Sequence, residues 1–430
     1  MTKYISLCCL NICYDHFIMT SPILMISYEA PPRLSAESIL VGKTLKALAD
    51  ASEQPPIIDL VCASAGDEVP TDKKLEELLP ESTCIHRLDP VPLGRKTILQ
   101  RIIGGKGGWQ KAATSKGAAL FPAEHKKPSL LYSRSHPPAS HLAVLELLEG
   151  PLRGVPWIAH FSDPWSKHAY YSTVTRAALG RYERQVFAAA TLLVFVSEAL
   201  RDAVLAKESL DIKAKARVIP HLFDASLYGK AELPAALRNA NAKTLSVAHV
   251  GDLYGLRTPE YLFDGMGRAM QHHPQLREML KLWLVGRMDP VFKGLDQRAG
   301  VADQIQYLQP VPYLESLAVM ASADVLLAVE APIKNSVFFP SKLIDYLGAG
   351  KRIFAITPKG GETARLMHNW NQIWCDVTDI NAIAAVFKRI ADGDLWSAPD
   401  PGVLEVYKAE TVGKQLAGMF LEAMAQQPTL

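Results

Sequence analysis

Residues 338–356 read FFPSKLIDYLGAGKRIFAI, and this stretch predicts a short helix followed by a buried strand. Ser341 is placed to cap the helix, and Gly350 is placed to end it. The unpaired N–H groups and the positive dipole end at the start of such a helix favour a phosphate. Asp345, one turn further on, is positioned to accept a hydrogen bond from a sugar hydroxyl. The apolar side of the helix is formed by Leu343, Ile344 and Leu347.

The same stretch resembles the donor-site helix of the retaining GT-B glycosyltransferases of family four, the "glycosyl transferases group 1". The resemblance implies that Asp345 holds the ribose of a nucleotide-sugar. It also implies that Ser341, Lys342 and Leu343 belong to the donor site. The residues that carry it are Pro-Ser-Lys-Leu at 340–343, the acid at 345, Tyr-Leu at 346–347 and Gly-Lys-Arg-Ile at 350–353.

The chain departs from that family at one acidic position. Members often have a second acid eight residues before the first, and here that position is Val337. The nearest upstream acid, Glu330, is out of register. A subset with a Pro-Ser-Lys-Leu helix also lacks this acid, so the departure indicates a subtype.

Apolar strands alternate with helical patterns through both halves of the chain, which favours parallel α/β layers. Together with the resemblance, this predicts an α/β protein of the GT-B class, with two Rossmann-like domains facing each other across a cleft. The predicted strands lie at 23–28, 57–63, 129–133, 157–161 and 191–196, and then at 244–250, 281–285, 305–308, 324–329 and 353–356.

The length of 430 residues also favours at least two domains, since single cores stop growing near roughly 250–300 residues. We expect an acceptor-binding domain over 19–220 and, after a linker at 221–242, a nucleotide-sugar-binding domain over 243–404. The resemblance implies that the helical residues 405–430 cross back to the first domain. Residues 1–18 lack the pattern of a signal peptide, and the better start of the first strand is the run from Met19 to Tyr28. We therefore expect Met19 to be the true start, or residues 1–18 to be a dispensable extension.

Composition excludes several classes of function. A net charge of +2 gives no general reason to expect nucleic-acid binding. Six cysteines show neither metal-ligand spacing nor a paired framework, which favours a reducing, cytoplasmic setting. No apolar run approaches the ~18 residues of a membrane-spanning helix.

Residues 92–127 are strongly basic, with Glu124 as their one acid. Ile98, Leu99, Ile102, Ile103 and Trp109 add apolar side chains to the segment. One interpretation is peripheral contact with an anionic membrane, on the inner face, which suits a lipid-linked acceptor. A solvated insertion explains the same residues. The segment has no interleaved aromatic platform for nucleic acid.

The donor side of the cleft is predicted from loops that follow strands in the second half. Gly251 and Gly286 each end a strand where ligands sit in open α/β sheets. The family has two basic residues after the first of these strands; Arg257 matches the second, and Asp252 stands at the first. Lys342 is expected to supply the missing charge. Tyr313 is predicted to contact the base.

The acceptor side is predicted from the run His160-Phe161-Ser162-Asp163-Pro164-Trp165 at a strand end. Asp163 is assigned to acceptor positioning or general base work; the alternative is an Asp that bonds its own turn. Trp165 is predicted to form an apolar wall for a sugar or lipid. Related enzymes share Asp-Pro-Trp. In the first loop Ser35 and Ala36 replace the Gly-Gly of the family.

The resulting hypothesis is a retaining glycosyltransferase that moves a sugar from a nucleotide-diphosphate sugar to a glycan or lipid-linked acceptor, in polysaccharide or glycoconjugate biosynthesis. Its catalytic residues would be Asp163, Arg257 and Lys342, with no metal or other cofactor. The rival is a non-catalytic GT-B relative that binds a sugar or a protein. An epimerase would need clustered acids and a different histidine pattern, which the sequence does not show.

Overall fold

The computed structural model describes residues 22–66, 69–89, 107–122, 126–238 and 244–426. The proposed extension at 1–18 and the alternative start at Met19 lie outside the described residues, as do Ile98 to Ile103 of the basic segment. The described residues form two parallel-sheet α/β domains, so the predicted fold class is confirmed.

The first domain is built on seven parallel strands in the order β3-β2-β1-β4-β5-β6-β7. The order turns back at β1, whose neighbours are β2 and β4. The strands are β1 (Ile23–Ser27), β2 (Ile58–Ala63), β3 (Thr83–Leu88), β4 (Leu130–Ser135), β5 (Trp157–Phe161), β6 (Leu192–Phe195) and β7 (Ala216–Val218).

The second domain is built on six parallel strands in the order β10-β9-β8-β11-β12-β13. Here the order turns back at β8, which lies between β9 and β11. The strands are β8 (Leu245–Val250), β9 (Leu280–Val285), β10 (Ile305–Leu308), β11 (Val325–Val329), β12 (Arg352–Ile356) and β13 (Ile373–Cys375).

Helices connect the parallel strands, because a parallel pair needs a crossover on one face of the sheet. In the first domain they are α1 (Ala36–Asp50), α2 (Gly107–Leu120), α3 (Ala139–Glu149), α4 (Thr173–Ala189), α5 (Glu198–Leu205) and α6 (Leu210–Ala214). The others are α7 (Glu260–His272), α8 (Leu276–Met279), α9 (Leu295–Ala299), α10 (Tyr313–Ser322), α11 (Lys342–Gly348), α12 (Glu362–Asn369), α13 (Ile380–Ala391), α14 (Pro401–Leu404) and α15 (Ala409–Ala425).

Both faces of each sheet are covered, which is why the inner strands are almost continuously apolar. Along β1, Leu24 and Ile26 enter the core on the side of α2 and α3, whereas Ile23 and Met25 enter the core shared with α1 and α15. Successive side chains of a strand point to opposite faces, so one apolar run serves both cores.

The last helix, α15, packs on α1 of the first domain, after the chain has completed the second sheet. The approach is close, because a Cβ added at Gly413 would lie 2.2 Å from the carbonyl oxygen of Ala47. The two domains are therefore joined both by the chain at 219–244 and by this returning helix.

Helix α2 falls within the basic segment. Trp109 on this helix is only 1% exposed and packs edge-on against Tyr28, with ring centroids 5.0 Å apart. The prediction that Trp109 offers an apolar contact to a membrane is therefore wrong, because its ring fills the core. Among the helices of the described ranges, none combines the length and apolar character that crossing a membrane requires.

Candidate functional site

A cleft of about 760 Å³ lies between the two domains, at the carboxyl ends of the strands. The first domain contributes Ser35, Glu37 and Asp163 to its lining, among others. The second contributes the loops that follow β8 and β9 and the start of α11. Loops at the carboxyl edge of a parallel sheet are the usual place for a ligand, and here two such edges share one space.

Gly251 and Gly286 bring two of these loops into contact. Their φ angles are +133° and +140°, a backbone conformation that disfavours any side chain. A Cβ at Gly286 would lie 2.6 Å from the carbonyl oxygen of Gly251, and a Cβ at Gly251 would lie 2.9 Å from Nζ of Lys342. Both glycines line the cleft, and the Lys342 ammonium rests directly on Gly251.

His249 holds the Lys342 side chain in place. The Nδ1 of His249 lies 3.0 Å from the carbonyl oxygen of Leu327, which can only accept, so Nδ1 carries the hydrogen. Its Nε2 then accepts a hydrogen bond from Nζ of Lys342 at 3.3 Å. Burial and, second to it, the charge of Arg257 lower the pKa of Lys342 well below its ordinary value.

Arg257 is the second cation of the donor side. It lines the cleft, and its guanidinium lies 5.4 Å from the centre of the Tyr254 ring. Its Nε is buried without a hydrogen-bond partner. Across the described ranges, neither Arg257 nor Lys342 has a carboxylate within ion-pair distance. Arg257 and Lys342 therefore share a corner of the cleft, and neither has an ion-pair partner among the described residues.

Asp252, which stands where the family has a basic residue, is paired with Arg287 from the loop after β9. Asp252 accepts hydrogen bonds from the backbone N–H of Arg287 at 2.8 Å, and from Nε at 2.8 Å and Nη2 at 2.6 Å. Arg287 also lines the cleft and is well exposed. Position 252 therefore lacks the basic residue of the family, but Arg287 places a cation beside it from the loop that follows the neighbouring strand β9.

The start of α11 differs from the sequence prediction. Ser341 has helical backbone angles, and its side chain caps nothing. The N–H of Leu343 already bonds to the carbonyl of Pro340, and the Leu343 side chain is fully buried. Helical backbone angles begin at Ser341, one residue earlier than expected. The predictions that Ser341 caps the helix and that Leu343 contacts the donor are therefore wrong. Gly350 does end the helix, with φ +64°.

Asp345 lies at the floor of the cleft and is already bonded to the first domain. Its Oδ1 accepts from Nζ of Lys43 at 2.8 Å and from the hydroxyl of Tyr313 at 3.1 Å. Lys43 lies on α1, and its side chain is only 1% exposed. Both bonds use the same oxygen, so Oδ2 remains for a ligand. Tyr313 is 4% exposed, and its hydroxyl is engaged by the acid.

Asp163 follows β5 and lines the cleft opposite the donor side. Burial, with a smaller contribution from the charge of Glu37, raises the pKa of its carboxyl to about 7. Glu37, at the start of α1, is itself held by Arg134, whose Nε donates to Oε1 at 2.7 Å. Arg134 is 2% exposed and also donates to Ser162 at 3.2 Å. Two carboxyl groups of different environment therefore face this side of the cleft.

Trp165 does not line the cleft. It is fully buried, its Nε1 donates to Ser135 at 3.2 Å, and its ring packs on His141 and Phe161. The prediction that it forms an acceptor wall is wrong, because the turn after Asp163 directs the indole into the core. Ser35 does line the cleft, and its hydroxyl oxygen caps α1 by accepting from the Ser38 N–H at 3.2 Å.

Four residues of the site were not singled out as site residues from the sequence: Glu37, Lys43, His249 and Glu330. Lys43 carries a detectable signal, since it is a lone cation on the helical face that also carries Leu40 and Ala47. Glu330, directly after β11, lines the cleft, and burial raises the pKa of its carboxyl. His249 looks like any histidine in an apolar strand, so only its contact with Lys342 identifies it.

A group of three side chains that could bind a metal ion lies away from the cleft, although the spacing of the cysteines gave no reason to expect a metal site. Asp59, Cys84 and His86 have donor atoms within 4.8 Å of one another on neighbouring strands β2 and β3. His86 Nε2 lies 2.8 Å from Oδ1 of Asp59, and these two side chains hydrogen-bond to each other.

No protein-family model and no curated protein sequence matches the chain. Solved structures do resemble it. HepE of Anabaena, in complex with UDP and glucose, has a TM-score of 0.61 at 14% identity over 94% of this chain and 98% of its own. Sucrose-phosphate synthase from Thermosynechococcus elongatus has a TM-score of 0.68 at 17% identity over 94% and 99%.

The lipopolysaccharide outer core galactosyltransferase WaaB, in its apo form, gives a TM-score of 0.60 at 12% identity over 93% of this chain and all of its own. These likenesses extend over nearly the whole chain and over both domains. Two parallel-sheet domains that face each other across a cleft, matched end to end by glycosyltransferases of this architecture, show that the protein has the GT-B fold.

Proposed function

We propose that the protein is a retaining glycosyltransferase that moves a sugar from a nucleotide-diphosphate sugar to a hydroxyl of a glycan or lipid-linked acceptor. The observation that carries this proposal is the pair of basic side chains, Arg257 and Lys342, which have no ion-pair partner among the described residues and lie beside the side-chain-free surface of Gly251. A diphosphate supplies the direct ion-pair partner that Arg257 and Lys342 lack, and glycine lets it approach the backbone closely.

The nucleotide would lie along the second domain. Its diphosphate would contact Arg257, Lys342 and the loops at Gly251 and Gly286. Its ribose would bond to Oδ2 of Asp345, the oxygen that Lys43 and Tyr313 leave unused. A bound diphosphate opposes the effects that lower the pKa of Lys342, so donor binding favours the protonated ammonium.

The acceptor would enter from the first domain, with its hydroxyl beside Asp163. The acceptor oxygen forms a bond to the anomeric carbon on the face that the diphosphate leaves, and the bond from that carbon to the phosphate oxygen breaks. The electron pair stays on the diphosphate, where Arg257 and Lys342 offset the added charge. The hydroxyl proton passes to the departing phosphate, while Asp163 orients the hydroxyl. This same-face route is the one implied by the family resemblance, and it needs no covalent nucleophile.

Structures of similar fold support the choice of donor. HepE was solved with UDP and glucose, and a trehalose-6-phosphate protein from E. coli was solved with UDP-2-fluoro glucose. Uridine diphosphate is therefore the first nucleotide to test here, followed by the guanosine, adenosine and thymidine forms.

Calorimetric titration of these diphosphates into the full chain tests the proposal. One of them should bind, and Arg257→Ala and Asp345→Ala should each weaken it by about 1–3 kcal/mol through the loss of a charge-assisted hydrogen bond. Arg298→Ala is the matched control, because Arg298 is an exposed arginine paired with Glu260 and does not line the cleft. Absence of binding by every diphosphate would contradict the proposal, and binding without turnover of any sugar donor would favour the non-catalytic relative.

Contact with an anionic membrane through 92–127 is a further part of the proposal, and it suits a lipid-linked acceptor. Of the basic residues there, Lys111 on α2, Lys126 and Lys127 are exposed, whereas Arg95, Lys96, Arg101 and Lys106 lie outside the described residues. Co-sedimentation with phosphatidylglycerol vesicles should exceed that with phosphatidylcholine vesicles, and should fall with added salt. Equal sedimentation with both would leave the solvated insertion as the explanation of this segment.

A further inference from the structure

An aromatic surface lies beside Asp163, where the sequence predicted a wall from Trp165. Three of its members line the cleft: His168 and Tyr170, from the segment between β5 and α4, and Phe338, from the loop before α11. Tyr170 remains 40% exposed, so part of its ring faces the open cleft. We call these three side chains the aromatic wall.

The aromatic wall is assembled from both domains. The rings of His168 and Phe338 meet edge to face with centroids 5.1 Å apart, and the Tyr170 ring lies 6.4 Å from that of Phe338. Tyr171 stacks behind His168 at 4.3 Å and bonds through its hydroxyl to Nε2 of His136 at 2.8 Å. His168 is thus fixed by packing on one side, and the open face is directed to the cleft.

Lys43, the permanent cation that the described first-domain residues give to the cleft lining, is already neutralised, whereas Lys167, which is exposed next to His168, does not line the cleft. Lys43 is bonded to Asp345, and Arg134 behind the cleft is bonded to Glu37. Burial lowers the pKa of His168 to about 4, so this ring is neutral near pH 7. Glu37 and Asp163 line the same cleft from the first domain. From the second domain, the charge of Arg257 acts on both Tyr170 and Asp163, and the proposed diphosphate would occupy this cation.

A pyranose ring without charge matches these features. One face of such a ring presents C–H groups, which pack on aromatic faces, and its edge presents hydroxyls, which donate to carboxylates. With the diphosphate bound at Arg257, a phosphate or carboxylate on the acceptor would meet Glu37. It would find no unpaired permanent cation among the described first-domain residues that line the cleft, at a cost in desolvation and repulsion.

We infer that the acceptor is a neutral pyranose, such as the terminal sugar of a glycan, that packs its C–H face on Tyr170 and Phe338 and directs a hydroxyl to Asp163. This inference rests on the proposed function and names the acceptor class of the same site. It distinguishes this chain from an enzyme whose acceptor is a sugar phosphate.

The test uses the full chain, saturated with the nucleotide diphosphate that binds in calorimetry. Saturation-transfer NMR then compares the methyl glycosides of glucose, galactose, mannose and N-acetylglucosamine with glucose 6-phosphate, mannose 6-phosphate and glucuronic acid. Neutral glycosides should bind and show the strongest transfer at ring C–H positions. Binding by the charged sugars alone, or by no sugar of the panel, would overturn the inference.

Variants localise the binding. Tyr170→Ala and Phe338→Ala should each weaken binding of the neutral glycoside by about fivefold or more, while Tyr170→Phe should retain it. Tyr307→Ala is the matched control, since Tyr307 is equally half-exposed but lies outside the cleft lining. The nucleotide affinity should stay within about twofold in all four variants. An unchanged glycoside affinity in Tyr170→Ala and Phe338→Ala would overturn the aromatic wall as the acceptor site.

The two proposals fail separately. If none of the nucleotide diphosphates binds the full chain, the proposed glycosyltransferase function is contradicted. Nucleotide binding and donor turnover with a preference for charged acceptors would contradict only the neutral acceptor.

Discussion

Replacing Lys43 with methionine removes one half of a buried ion pair that joins the two domains. Nζ of Lys43 lies 2.8 Å from Oδ1 of Asp345, and the two side chains are 1% and 9% exposed. The partners are 302 residues apart in sequence, on α1 of the first domain and α11 of the second. Methionine keeps the length and the apolar stem of lysine, so the change isolates the charge.

Loss of one partner from a buried pair costs about 3–5 kcal/mol, because the remaining charge is left without its counter-ion. Tyr313 donates to the same oxygen and would remain, which places Lys43→Met near the lower end of that range. An unfolding entropy of about 2.1 cal/mol/K per residue over 430 residues corresponds to about 1 °C per kcal/mol, so the melting temperature should fall by about 3–4 °C.

Differential scanning calorimetry of Lys43→Met, Asp345→Asn and the double variant measures this effect. The double variant should lose less stability than the sum of the single ones, because the second substitution removes a charge that the first has already stranded. Lys388→Met is the matched control: its pair with Asp392 is exposed on both sides and should contribute about 0–1 kcal/mol. Strict additivity, or a shift for Lys43→Met no larger than for the control, would refute the reasoning.

Two further predictions concern other parts of the molecule. Burial and Glu37 raise the pKa of Asp163 from 3.8 to about 7, so its contribution to stability is complete below pH 4 and is lost as the pH rises through 7. Asp163→Asn should therefore gain stability relative to the wild type at pH 8, by up to roughly 4 kcal/mol, and show no gain at pH 4; equal effects at both pH values in chemical denaturation would contradict this. Gly413→Ala places a Cβ 2.2 Å from the Ala47 carbonyl oxygen and should lower stability by about 1–3 kcal/mol in thermal melts, whereas the exposed neighbour Lys414→Ala should change little.

Much of the fold could be predicted from the sequence, because the inner strands are short apolar runs buried on both faces. The runs at 23–28 and 324–329, for example, contain the observed β1 and β11. Strand β3 was not predicted, since its residues Thr83–Leu88 are half-exposed at the sheet edge and mix polar with apolar side chains. Helix α2 was not predicted for a similar reason, because its sequence is rich in glycine, lysine and alanine and its apolar residues follow only a weak helical pattern.

The site was predictable where function depends on local sequence. Loops after strands place Gly251, Gly286 and Asp163 in one cleft by topology alone. Contacts between segments distant in sequence could not be predicted. The pairs Lys43–Asp345 and Asp252–Arg287 are examples. Trp165 shows a third limit. It directly follows Pro164, and the sequence does not determine whether a side chain after such a turn points to the cleft or to the core; here the indole is buried in the core.

The packing of α15 on α1 has a consequence for how the chain is made. The core that includes β1 and β2 of the first domain also needs Leu416, Phe420 and Ala423 from α15. During synthesis from the amino terminus, the second sheet leaves the ribosome before these residues do. One helix layer of the first domain thus stays uncovered until α15 has left the ribosome. Deleting α15 would keep that layer exposed for the life of the protein and make it a target for chaperones and proteases.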